Sequence, residues 1–85
     1  MNVSIIWDLD DDEEGNVVHI AEHGLEKDDI AHVFDYPVGI GTSDSSRRPM
    51  IFGYTVDGRY ITVIYEQIDE DSVYPVTAFE VPEPA

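Results

Sequence analysis

Along this chain the apolar residues first cluster, then recur every three or four positions, and finally alternate. Residues 3–7 form a short run rich in β-branched side chains, closing on Trp7, and read as a first strand. The acidic stretch 8–14 stops it. Gly15 and Asn16 supply a turn and a candidate N-cap, after which Val17, Ile20 and Ala21 recur at helical spacing until Gly24 ends the helix in the C′ position. A second helix is predicted over 27–35, with Ile30, Val33 and Phe34 on its buried stripe, acids in its first turn and Tyr36-Pro37 as its stop.

Beyond Pro37 the period drops from 3.6 to 2, and strands are predicted over 38–43, 50–56, 59–68 and 73–81. Asp57-Gly58, taken as a two-residue type I′ loop, sets Val56 opposite Arg59, Tyr54 opposite Ile61, Phe52 opposite Val63 and Met50 opposite Tyr65. Those residues form the more apolar face, expected to hold the helices; Ile51, Gly53, Thr55, Tyr60, Thr62 and Ile64 fall on the other. Pro75 cannot donate to an interior ladder, which makes the last strand an edge or a bulged strand. The expectation is a single small α+β domain: two short N-terminal helices packed on one face of a mainly antiparallel sheet of about four strands, in the order β-α-α-β-β-β. The domain is expected to occupy 1–81, with 82–85 as a short tail.

Composition narrows the function classes. A chain of 85 residues buries roughly 60–65% of its unfolded surface, which leaves any site shallow. There is no cysteine, hence neither a disulfide framework nor a thiolate metal site. The opening residues lack a basic and then apolar leader, and no stretch has the length of apolar sequence a membrane span needs, so a cytoplasmic protein without membrane attachment is expected.

Charge changes the picture most. Nineteen acids stand against Lys27, Arg47, Arg48 and Arg59, for a formal net of -15. Affinity for nucleic acid comes largely from cations that displace condensed counterions, so direct nucleic-acid binding is not expected. The carboxylates serve solubility, adapt the surface to a salt-rich cell, or attract a basic partner such as a DNA-binding antitoxin.

The remaining chemistry is sparse. His19-Ile20-Ala21-Glu22-His23 fits the H-x-x-E-H string of some zinc peptidases, yet the helix stops at Gly24 and nothing later offers a third ligand across a groove. Asp10, Asp12, Glu14 and Gly15 imitate the start of a calcium loop, but Ala21 occupies the position of its closing glutamate. No metal and no cofactor are therefore assigned. Ser43-Asp44-Ser45-Ser46 is a turn composition without a nucleophile elbow, and Gly39-Ile40-Gly41-Thr42 lacks the lysine of a phosphate loop. His23, Arg47 and Arg48 remain: an acid or base titrating near neutrality, and adjacent cations fit for an anion or merely guarding a loop.

The order of short motifs carries a resemblance. Trp7-Asp8, His23-Gly24 at a helix end, Val33-Phe34-Asp35-Tyr36-Pro37 at the next, Arg48 through Gly53-Tyr54-Thr55, and Gly58-Arg59-Tyr60-Ile61-Thr62-Val63-Ile64-Tyr65 together resemble the BrnT toxin family, relatives of RelE-type toxins, over roughly residues 5–80. The resemblance implies a β-α-α-β-β-β fold and, in active members, a metal-independent endoribonuclease neutralised by a DNA-binding antitoxin. It assigns His23 and either Arg47 or Arg48 as catalytic. Three departures remove positive charge: Glu22 replaces the lysine before the histidine, Tyr74-Pro75-Val76-Thr77-Ala78-Phe79 replaces an arginine-flanked strand, and the basic C-terminal helix is missing. The expectation is a catalytically reduced binding or regulatory module, with an active ribonuclease toxin as the alternative.

Overall fold

The computed structural model describes residues 3–84; Met1, Asn2 and Ala85, which fall within the expected limits of domain and tail, lie outside the described residues. Helix α1 (Asn16–Glu22) ends because Gly24, at φ +73°, turns the chain left-handed. The Gly24 N–H then reaches the Ala21 carbonyl at 2.9 Å and the Leu25 N–H reaches the Ile20 carbonyl at 3.0 Å, a Schellman closure whose apolar contact joins Leu25 to Ile20. Helix α2 (Lys27–Asp35) starts two residues later, its buried stripe Ile30, Val33 and Phe34. Buried Asp29 accepts the Glu26 N–H at 3.0 Å and so caps the helix entrance.

Five strands, rather than about four, make the sheet: β1 (Ser4–Ile5), β2 (Gly39–Thr42), β3 (Pro49–Tyr54), β4 (Tyr60–Gln67) and β5 (Ser72–Glu80), in the spatial order β1-β5-β4-β3-β2. The sheet is mixed, because β1 runs parallel to β5, with Ser4 beside Ser72 and Ile5 beside Val73. The α+β architecture, with both helices on one face, is as the sequence predicts: α1 packs over β5 and α2 over β3. Pro75 lies at a bulge, where Ile64 pairs with Thr77 and Tyr65 with Pro75, leaving Val76 unpaired; β5 is interior, not an edge.

Two expectations are corrected. The β3–β4 connection is a three-residue loop: the Gly58 N–H bonds the Thr55 carbonyl at 3.0 Å, Gly58 is left-handed at φ +91°, and Thr55 pairs with Arg59. The register therefore slips by one, with Tyr54 opposite Tyr60, Phe52 opposite Thr62 and Ile51 opposite Val63. Because side chains alternate, that slip turns Met50, Phe52 and Tyr54 away from the helices and buries Ile51, Gly53 and Thr55 instead. At Gly53 a Cβ would lie 3.1 Å from Val33 Cγ1, so the missing side chain is what lets α2 approach. The second correction concerns Asn16, which is the first helical residue rather than the cap; Gly15 is the cap, and Asn16 is fully buried. Its Nδ2 donates to the carbonyls of Ile6 and Pro75, each at 3.0 Å, stitching β1 to the bulge of β5.

The core is Ile20, Leu25, Ile30, Val33, Phe34, Ile51, Ile61, Val63, Val73 and Ala78, with Tyr65 packed edge-on to Phe34 at 5.1 Å. Among the described residues no helix is long and apolar enough to cross a membrane.

Candidate functional site

His23 caps α1, and its exposed imidazole lies 6.0 Å from the Phe79 ring near the start of β4. Arg48 enters β3 at the other end of the hairpin, where Nε and Nη2 both lie 2.9 Å from Glu66 Oε1, near the end of β4. Arg59, which donates to the Gly24 carbonyl beside His23, and Glu66 are separated along β4 by a strand length of about 20 Å. The structure thus places His23 and Arg48 at opposite ends of one strand and binds Arg48 to a carboxylate. Arg47 sits exposed in the β2–β3 loop, its backbone left-handed at φ +61°, without an ion pair among the described residues.

The other sequence candidates are surface features. His19, Glu22 and His23 are all exposed, and no group of three or more His, Asp or Glu side chains is placed to hold a metal among the described residues. The acidic loop 8–14 is organised by its own backbone: the Gly15 N–H bonds the Asp12 carbonyl at 2.9 Å and the Glu14 N–H bonds Asp12 Oδ1 at 3.0 Å.

A different set of residues converges at the junction of the α1–α2 turn and the β3–β4 turn. Arg59 is its hub, as its Nη1 donates to the Gly24 carbonyl at 2.9 Å, its Nε lies 3.1 Å from Asp57 Oδ1, and its Nη2 lies 3.7 Å from Asp29 Oδ2. Asp57 is held below the usual carboxylate range, first by the Thr55 hydroxyl and then by Arg59, whose own pKa Asp57 raises. Beside this hub open two adjoining hollows of about 530 and 420 Å³ that share Ala21, Leu25 and Glu26. Their lining mixes the apolar Val17, Ile20, Ala21, Leu25 and Val56 with the acidic Asp10, Glu26, Asp28, Asp29 and Asp57; Ile20, Leu25 and Asp29 are buried, whereas Val56 is exposed. Lys27, the other cation present, is spent on Asp10 at 2.9 Å and sits 6.0 Å from the Trp7 ring. The arrangement can seat a cationic amphipathic segment: apolar and acidic groups stand side by side in the lining, and the local cations are already neutralised.

Sequence reasoning missed this groove. Arg59 appeared only as a hairpin residue, and the one available signal was that it is among four cations in so acidic a chain. Compared with protein-family models, curated proteins and solved structures, the chain matches none.

Proposed function

We propose that this chain is a catalytically reduced, BrnT-like domain that acts as a small binding module in a cytoplasmic toxin–antitoxin-like pair, its partner a basic protein such as a DNA-binding antitoxin. The observation that carries the reading is the groove at the α1–α2 turn, whose lining is part apolar and part acidic. Its carboxylates outnumber its cations, which steers a cationic partner, and its apolar residues supply the contact that charge alone lacks. Two further facts support reduced catalysis. The histidine and arginine that the resemblance pairs lie at opposite ends of β4, and Arg48 is engaged by Glu66. A net charge of -15 also repels every phosphate an RNA strand would bring.

The test has two arms. Expression in a bacterium leaves growth unaffected, and an amphipathic helical peptide of leucine and lysine shifts the emission of Trp7, the single tryptophan, which stands beside Lys27. Charge reversal by Glu26→Lys with Asp28→Lys abolishes the shift. Growth arrest that disappears with Arg48→Ala establishes the ribonuclease alternative and overturns the proposal; a peptide response indifferent to the charge reversal removes the groove from it.

A further inference from the structure

We infer that the free edge of β2 pairs with the same edge of a second copy of this chain, so that two five-stranded sheets join antiparallel across a two-fold axis. β2 is the outermost strand on its side of the sheet. The Ser43 N–H bonds the Arg48 carbonyl at 2.8 Å, and the alternation of an antiparallel ladder then turns the N–H and C=O groups of Ile40 and Thr42 outward. Edges of this kind are normally blunted by charge, by proline or by a covering element. Residues 38–43 carry no charge and no proline. Instead Tyr36, Val38 and Ile40, three of the seven exposed large hydrophobics among the described residues, line this one edge at 67, 59 and 83% exposure.

Charge decides the occupant. From residue 36 to 56 the only carboxylate is Asp44, set against Arg47 and Arg48, in a chain that is otherwise strongly acidic. A cationic strand gains little here, because Arg47 offsets Asp44 and Arg48 and Glu66 offset each other. A second copy, by contrast, meets its twin at the least acidic surface either owns. The acidic runs 8–14 and 69–71 flank β1 and β5, about 14–19 Å away at the spacing of neighbouring strands, beyond a Debye length of about 8 Å at physiological salt. Antiparallel pairing also brings the Asp35 end of one β2 beside the Arg47 end of the other, a self-complementary match of the kind a two-fold axis requires.

Sedimentation velocity from micromolar to near-millimolar concentration tests the pairing. A reversible monomer–dimer equilibrium is expected, shifting towards dimer as salt screens the residual repulsion. Ile40→Lys and, separately, Thr42→Lys place like charges at the axis and should leave monomer throughout, with circular dichroism and thermal midpoint unchanged because both side chains are exposed. A wild-type chain that stays monomeric across the range, assembly beyond a dimer, or a dimer insensitive to both substitutions overturns the inference.

Discussion

Asp8 and Asn16 hold each other's backbone: the Asp8 N–H donates to Asn16 Oδ1, and the Asn16 N–H donates to Asp8 Oδ2, each at 2.9 Å. The pair clamps the end of the β1 segment to the start of α1. With the two carbonyls that Asn16 Nδ2 also serves, one buried side chain satisfies three backbone groups in two separate parts of the chain. Asn16→Ala orphans the Asp8 N–H and the carbonyls of Ile6 and Pro75, and is expected to cost about 3 kcal/mol. Urea unfolding measures it.

The same Asp8 accepts the Tyr74 hydroxyl, which pushes the phenol up to about 12 and holds the carboxyl below its usual value. The signs differ. For Tyr74 the stabilisation is complete below the unfolded phenol value of about 10 and is lost as pH rises through the folded one. For Asp8 it is present above the unfolded value of about 3.9 and lost as pH falls through the lowered one. Phenolate absorbance should therefore show Tyr74 titrating late, beside Tyr54, whose hydrogen bond to Glu83 also raises it, and Tyr74→Phe should remove one tyrosine from the late phase together with the alkaline loss of stability that accompanies it.

Arg47 and Gly58 share the left-handed region with opposite consequences. Arg47 carries a Cβ there, so Arg47→Gly should stabilise the fold by up to about 1 kcal/mol, while Gly58→Ala should destabilise it by about 1–2 kcal/mol. Thermal unfolding of the two variants should move the midpoint in opposite directions.

Arg59 ties the β3–β4 turn to the α1–α2 turn through three partners, and its side chain is only 30% exposed. Arg59→Ala is expected to lower the stability, and Arg59→Lys to recover only part of the loss, because an ammonium cannot reproduce the planar fork. Hydrogen exchange of the Leu25 amide, whose bond to the Ile20 carbonyl closes α1, should quicken in both.

At a net charge of -15 the folded state repels itself, so moderate sodium chloride should raise the thermal midpoint until the repulsion is screened. A midpoint flat in salt would mean that the excess carboxylates lie far enough apart for their mutual repulsion to be negligible.

Much of the fold is legible in particular residues. Gly24 as helix stop, the stripe Ile30-Val33-Phe34 and the acids at the entrance of α2 are local signals, and each has a local cause. The face of β3 misled because Met50, Phe52 and Tyr54 look more like a core than Ile51, Gly53 and Thr55 do. Phe52 instead lies against the bare backbone of Gly39 and Gly41 and stacks on Tyr60 at 6.2 Å, an apolar cluster on the open face that alternation alone reads as the inner one. Asn16 was read by its residue type as a cap, since nothing near it in sequence announces Pro75 as a partner. The groove was illegible for the same reason: Arg59 and Gly24 meet only after the sheet has formed. The separation of His23 from Arg48 is likewise set by the run of β4, which spacing in sequence does not encode.

The two-residue strand β1 finds its partner only in β5, so its edge has nothing to zip onto until residues 72–73 have been synthesised. During synthesis both helices and the β3–β4 hairpin can assemble from neighbouring sequence, whereas the pairing of Ser4 with Ser72 and of Ile5 with Val73 must wait, and the sheet is completed by a contact of long sequence separation.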